Sequence, residues 1–263
     1  MPAEPRFFER LRRAAASRRS LLCVGLDPDP VRLRGGASGA LAHCSEVVQA
    51  TQEHVCCYKP NAAFWEQYGA DGLKALGELR RRIPEDIPVL YDAKRGDIDH
   101  TMRAYASAIF EALEMDAVTA QPYLGGDSLR ELTQHRARGV YVVCRTSNAG
   151  AADLQEQDTG GEPLYLRVAR LAQSLNEFEN VGLVVGATAP AEIARVRQTT
   201  ALPFLIPGIG AQDGELEASV RAAWNGDDAS CLISSSRAVL YADDPGGAAR
   251  RLKDQINAVL TEL

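Results

Sequence analysis

Short apolar runs rich in β-branched residues return along the whole chain, each followed by a segment with helical spacing. This alternation constrains the fold more than any other feature. The runs cover residues 21–26, 55–58, 88–91, 117–120, 140–144, 181–185, 204–206 and 230–233. They are too apolar to alternate with polar residues, as expected of parallel strands covered on both faces. Between them, Tyr105, Ala108, Ile109, Ala112 and Leu113 recur at helical spacing, as do Leu164, Val168, Leu171 and Leu175. The last segment places Leu252, Ile256, Val259, Leu260 and Leu263 on one helical face. Eight strand-then-helix units in 263 residues predict an α/β fold of the (β/α)8 TIM-barrel type. A doubly wound sheet would usually need fewer strands and is the lesser option.

No proline-, glycine- or serine-rich linker divides the chain, so residues 1–263 are expected to form one barrel domain. A helical extension is expected over about residues 5–19, with Phe7, Phe8 and Leu11 facing the protein and its arginines facing water. Glu4 and Glu9 argue against reading it as a transit peptide. A net charge of −6 disfavours nucleic acid and anionic membrane as partners, while leaving room for a local basic pocket. No run approaches the roughly 18 apolar residues of a membrane span. The six cysteines, Cys23, Cys44, Cys56, Cys57, Cys144 and Cys231, lie mostly in apolar runs without metal spacing. They read as reduced core thiols of a cytoplasmic protein.

In a barrel, groups at the ends of the strands converge on one mouth. Asp27 follows the first run, Lys59 the second, and Asp92 and Lys94 the third; Asp97 lies just beyond. Side chains two apart on a strand point the same way, so Asp92 and Lys94 are expected to share one space. Opposite charges about 4 Å apart attract by roughly 4 kcal/mol at an effective dielectric near 20, enough to hold such a network in place. A second constellation follows the last two strands. Pro207-Gly208-Ile209-Gly210-Ala211-Gln212 is a glycine-rich turn with amides free to face an anion, and Ser234-Ser235-Ser236-Arg237 adds small residues and a guanidinium suited to phosphate. His43, His54, His100 and His135 show no metal spacing and are assigned no catalytic role. Trp65 and Trp224 read as packing residues. Two long connections, over residues 27–40 and 145–163, belong on the mouth face as substrate loops or tolerated insertions.

These residues resemble the orotidine 5'-phosphate decarboxylase family, in its longer bacterial class (type 2). The carrying motifs are Gly25-Leu26-Asp27, Tyr58-Lys59-Pro60-Asn61, Asp92-Ala93-Lys94-Arg95-Gly96-Asp97-Ile98, Arg145-Thr146-Ser147-Asn148, Pro207 to Gln212, and Ser236-Arg237, in the family's order. The resemblance implies conversion of orotidine 5'-monophosphate to uridine 5'-monophosphate and carbon dioxide, the last step of de novo UMP synthesis, without metal or organic cofactor. It implies an alternating charge network of Lys59, Asp92, Lys94 and Asp97, with Lys94 protonating C6 and Asp92 beside the substrate carboxylate. It also implies a homodimer in which Asp97, Ile98 and Thr101 reach the neighbouring subunit's site. Asp27 and Lys59 would hold ribose hydroxyls and Ser147 the pyrimidine. Gln212 and Arg237, with the backbone around Pro207, Gly208 and Ser236, would bind phosphate. Two rivals remain: related barrels that act on ketose phosphates with Mg²⁺, held partly by an acid where Lys59 stands here, and a non-catalytic phosphate-binding barrel.

Overall fold

The computed structural model describes residues 4–187, 190–208 and 213–263. In chain order the elements are α1 (Phe7–Arg18), β1 (Leu22–Gly25), α2 (Gly36–Thr51), β2 (Cys57–Lys59), α3 (Ala62–Glu66), α4 (Gly69–Arg82), β3 (Leu90–Arg95), α5 (Asp99–Ser107), β4 (Ala117–Ala120), α6 (Gly126–Thr133) and β5 (Gly139–Arg145). They continue with α7 (Leu164–Ser174), β6 (Val181–Val185), α8 (Pro190–Thr199), β7 (Phe204–Pro207), α9 (Asp213–Ala223), β8 (Cys231–Ser235), α10 (Arg237–Leu240) and α11 (Pro245–Thr261).

All ladder pairings are parallel, in the order β2-β1-β8-β7-β6-β5-β4-β3. Isolated parallel bridges, Tyr58 to Val89 and Asn61 to Asp92, join the two ends. Their hydrogen bonds run from the Tyr58 N–H to the Pro88 carbonyl and from the Asp92 N–H to the Pro60 carbonyl. The sheet therefore nearly closes on itself, which excludes the doubly wound alternative. β1, β4, β5 and β6 are buried along their whole length, as the uninterrupted apolar runs require.

The N-terminal helix closes the bottom of the barrel. Phe7 is wholly buried and Phe8 nearly so, and both rings meet Tyr141 edge-on, with centroids 6.1 and 5.7 Å away. Gly139 opens β5 as a glycine because a Cβ there would come within 2.4 Å of the Phe7 ring. Arg10, on the same helix, ion-pairs with buried Asp116 at the foot of β4. All six cysteines are free and buried. Trp65 is fully buried and Trp224 packs against the core, as expected of packing residues. Leu263 differs from the expected helical stripe: it lies past the end of α11 and is exposed.

The third strand differs most from its expected bounds. It begins at Leu90 and runs through Arg95, so Asp92 and Lys94 lie inside it. The apolar run marks only the half of β3 that is packed in the core; the hydrogen-bonded half continues into the mouth, where charge is tolerated. The register shifts between Tyr91 and Arg95, and Lys94 takes φ 45°, a left-handed conformation costly for a residue with a Cβ.

Candidate active site

The bulge in β3 builds the centre of the site. It releases the Lys94 N–H from the ladder; that N–H donates to the Thr119 hydroxyl on β4 at 2.9 Å, and Thr119 in turn donates to Asp92 Oδ1 at 2.9 Å. Lys94 Nζ reaches the same Oδ1 at 2.7 Å, and Lys59 Nζ, from the end of β2, donates to Oδ2 at 3.0 Å. Asn61 adds a longer bond to Oδ2 at 3.3 Å. One carboxylate thus bridges two ammonium groups. Asp92 and Lys59 are buried, whereas the Lys94 side chain is 42% exposed, so the free end of the network faces the mouth.

Burial opposes both buried charges, and the opposite charges outweigh it. Desolvation would raise the Asp92 carboxyl, but Lys59 and Lys94 hold it well below the usual carboxylate range. Desolvation would lower Lys59, but Asp92 and then Asp27 hold it above its ordinary value. Both groups therefore stay ionised near neutral pH.

Asp27 leaves β1 half-buried, and its Oδ1 accepts the Asn61 N–H at 3.1 Å. Asn61 also caps α3 through its Oδ1, so it ties together Asp27, Asp92 and the start of a helix. Gly25 makes the close approach of β1 and β8 possible: a Cβ there would lie 1.8 Å from Ser236 Oγ and 3.0 Å from an Asp27 oxygen. A cavity of about 290 Å³ opens beside these groups, lined by Asp27, Lys59, Pro207, Gly208, Ser236 and Arg237 among others. Gly208 has φ 91°, which suits a glycine at the turn after β7. Arg237 is exposed and makes no ion pair among the described residues. Ile209 to Gln212 lie outside the described residues, so Gln212 has no place in this geometry.

Ser147 follows β5 and sits between the ends of β6 and β7. A Cβ on Gly186 would lie 2.9 Å from its backbone nitrogen, and one on Gly208 would lie 3.9 Å from its hydroxyl. Asp97 stands apart from Lys59, Asp92 and Lys94: its carboxylate accepts the Ile98 N–H at 2.8 Å and forms no ion pair among the described residues. Ile98 caps α5 with its side chain 51% exposed, and Thr101 lies half-buried in the first turn. A larger cavity, about 930 Å³, lies between the residues after β4 and α7, lined by Tyr123, Val143, Leu154, Leu164 and Leu171 among others. It shares no residue with the charge cluster.

Thr119 and Asn61 are the polar contacts to Asp92 absent from the expected site. A lone threonine in Ala-Val-Thr-Ala reads as a β-former, so nothing in the sequence marks Thr119. Asn61 closes the Tyr58-Lys59-Pro60-Asn61 motif, and its place two residues after Lys59 was the available signal. No group of three or more His, Cys, Asp or Glu side chains is arranged to hold a metal ion among the described residues. No described helix is long and apolar enough to cross a membrane.

A model of the Orotidine 5'-phosphate decarboxylase / HUMPS family matches residues 20–252. A Roseiflexus castenholzii protein named orotidine 5'-phosphate decarboxylase is 48% identical over 97% of this chain and 98% of its own length. One of the same name from Thermomicrobium roseum is 46% identical over 98% of this chain and 97% of its own length. The solved OMP decarboxylase of Leishmania donovani superposes with a TM-score of 0.90 at 44% identity, covering 97% of this chain and 98% of that one. Matched by the family model over most of its length, and by relatives from end to end, the chain belongs to the orotidine 5'-phosphate decarboxylase / HUMPS family.

Proposed function

We infer that this chain decarboxylates orotidine 5'-monophosphate to uridine 5'-monophosphate, the last step of de novo UMP synthesis, using its own side chains alone. The observation that carries this reading is the Asp92 carboxylate bridging Lys59 and Lys94, with Lys94 turned toward the mouth. When the C6–carboxylate bond breaks, its electron pair stays on C6 in the ring plane, where no π system accepts it. The barrier falls when a cation is already fixed beside that carbon. Lys94 is that cation, and its Nζ–H proton passes to C6 as carbon dioxide leaves. Asp92 lies near the substrate carboxylate and fixes the ammonium.

Asp27 and Lys59 are assigned to the ribose hydroxyls, and Ser147 to the pyrimidine. Arg237 is assigned to the phosphate, with Gln212 and the backbone at Pro207, Gly208 and Ser236. The lining of the smaller cavity supports this reading, since it includes both Arg237 and Lys59. Phosphate contacts remote from C6 contribute by closing the site and excluding water. The whole chain acts as one barrel domain in the cytoplasm.

The test is loss of orotate-ring absorbance on adding orotidine 5'-monophosphate, with and without a chelator. Turnover unaffected by chelation is expected. Metal-dependent turnover would favour a ketose-phosphate enzyme, against which Lys59 at the end of β2 already speaks; no turnover would favour a binding protein. We assign Asp97, Ile98 and Thr101 to a second subunit's site, in a homodimer. The Asp97 carboxylate, without an ion pair among the described residues, and the exposed Ile98 support this. Mixing inactive Lys94→Ala and Asp97→Ala subunits should then restore part of the activity, and no recovery after verified exchange would refute shared sites.

A further inference from the structure

The long connection after β5 leaves the mouth, forms a short 3-10 turn over Ala149–Asp153, and returns to α7. On its return it grips the segment it left. Gln155 Oε1 accepts the Thr146 N–H at 2.8 Å, and Gln155 Nε2 donates to the Thr146 hydroxyl at 2.7 Å. The Thr146 hydroxyl then donates to Asn148 Oδ1 at 2.7 Å. One side-chain amide thereby holds Thr146 on one side of Ser147, and Thr146 in turn holds Asn148 on the other. Beside this clamp, the Arg145 guanidinium donates to the Thr146 carbonyl and to Glu156 Oε1, the latter at 2.5 Å.

Gln155 is itself immobilised. Its N–H donates to the Ala151 carbonyl at 2.8 Å, and its carbonyl accepts the Tyr165 N–H, at the start of α7, at 3.0 Å. The clamp is therefore anchored to a helix rather than to a free loop. On the other side, Gly186 lies so close to Ser147 that any side chain there would collide with it. Ser147 is exposed, and its hydroxyl makes no hydrogen bond among the described residues.

We propose that Gln155 is a positioning residue for pyrimidine recognition: it fixes the Thr146–Asn148 segment so that the Ser147 hydroxyl is presented to the base. This rests on the reading of Ser147 as the base contact. A group held in advance at its productive position does not have to be ordered when the ligand binds. Removing the clamp therefore weakens contacts to the base and leaves those to ribose and phosphate as they were.

The test compares two probes, uridine 5'-monophosphate and ribose 5-phosphate, by calorimetric titration of wild type, Gln155→Ala, Gln155→Glu and Ser147→Ala, alongside kcat, KM and melting temperature. For Gln155→Ala, affinity for uridine 5'-monophosphate should fall about tenfold, as expected for two lost hydrogen bonds. Its affinity for ribose 5-phosphate should stay within about twofold, within ordinary context-dependence of such contacts. Gln155→Glu keeps the acceptor for the Thr146 N–H and should lie between wild type and alanine. Equal loss for both probes, or an effect explained by a lower melting temperature, would reduce the contact to fold maintenance and overturn the proposal. If Ser147→Ala loses base-selective affinity while Gln155→Ala does not, the clamp fails and the base contact stands. If Ser147→Ala shows no selective loss, the reading of Ser147 fails and the proposal goes with it.

Discussion

Two buried aspartates stand at opposite ends of the β3–β4 pair, and each gathers several cations. At the bottom, Asp116 meets Arg10, Arg80 at 3.3 Å and Arg138 at 3.6 Å, and accepts the Val89 N–H at 2.8 Å. At the mouth, Asp92 meets Lys59, Lys94, Asn61 and Thr119. The difference lies in what the cations do with their remaining donors. Arg10 also donates to the Glu85 carbonyl and Arg80 to the Glu114 carbonyl, so the forked guanidiniums stitch α1, α4 and the strand feet together. Lys94 gives one bond to Asp92 and keeps a partly exposed ammonium on a left-handed backbone. A buried carboxylate ringed by arginines is thus a rivet, and one shared by lysines with a free end is a charge held ready.

The largest expected effect separates the two ends. Lys94→Ala should lower kcat/KM by about 10²–10³-fold, the scale of removing a preorganised electrostatic group, while leaving the melting temperature nearly unchanged. Survival of activity within tenfold would break the distinction. The converse change, Asp116→Ala, leaves three partly buried guanidiniums without their buried carboxylate and should cost about 3–5 kcal/mol in urea unfolding. Its folded fraction should keep near-normal kcat/KM, and a selective catalytic loss would show that the bottom of the barrel is no mere rivet.

The pH dependence of stability sharpens the contrast at the mouth. The Asp92 carboxyl is depressed in the fold, so its contribution is present above its ordinary value of 3.8 and fades as pH falls toward the lower folded value. Lys59 is raised, so its contribution is complete below its ordinary value of 10.5 and is lost only as pH rises through the folded value. The gap in unfolding free energy between wild type and Asp92→Asn should therefore be flat from about pH 6 to 9 and narrow toward pH 3. A gap that widens on acidification would contradict the bridging geometry. The smallest effect belongs to a solvent-exposed pair tied to the same N-terminal helix: Arg12, 2.8 Å from Asp227 with both side chains nearly half exposed. Arg12→Ala should cost under about 1 kcal/mol, and a larger cost would mean that the helix is held by its rim rather than by Phe7 and Arg10.

Much of this was legible in the chain. The apolar runs located all eight strands because a strand covered on both faces must be apolar throughout, and two of them, 117–120 and 181–185, match the observed bounds. The β3 bounds failed because hydrogen bonding, not apolarity, defines a strand, and its upper half is polar for chemical reasons. The mouth residues Lys59, Asp92 and Lys94 could be named because strand ends converge in any such barrel. Thr119, Asp116 and Gln155 could not, since their partners are 27, 106 and 9 residues away along the chain, and no local pattern records those distances.

By itself, the sequence determined the architecture and the inventory of the mouth: eight parallel strands, two lysines, their acids and an arginine after the last strand. These follow from burial patterning and from chain order, which are local properties. Tertiary structure alone decided how the charges are wired. Closure of β2 against β3 puts Lys59 on the far oxygen of Asp92; the bulge turns Lys94 toward solvent; packing of the 145–163 connection brings Gln155 back onto Thr146. Each depends on which strands and loops become neighbours in space, and the energy of a charge or a hydrogen bond depends on that distance and burial rather than on position in the chain.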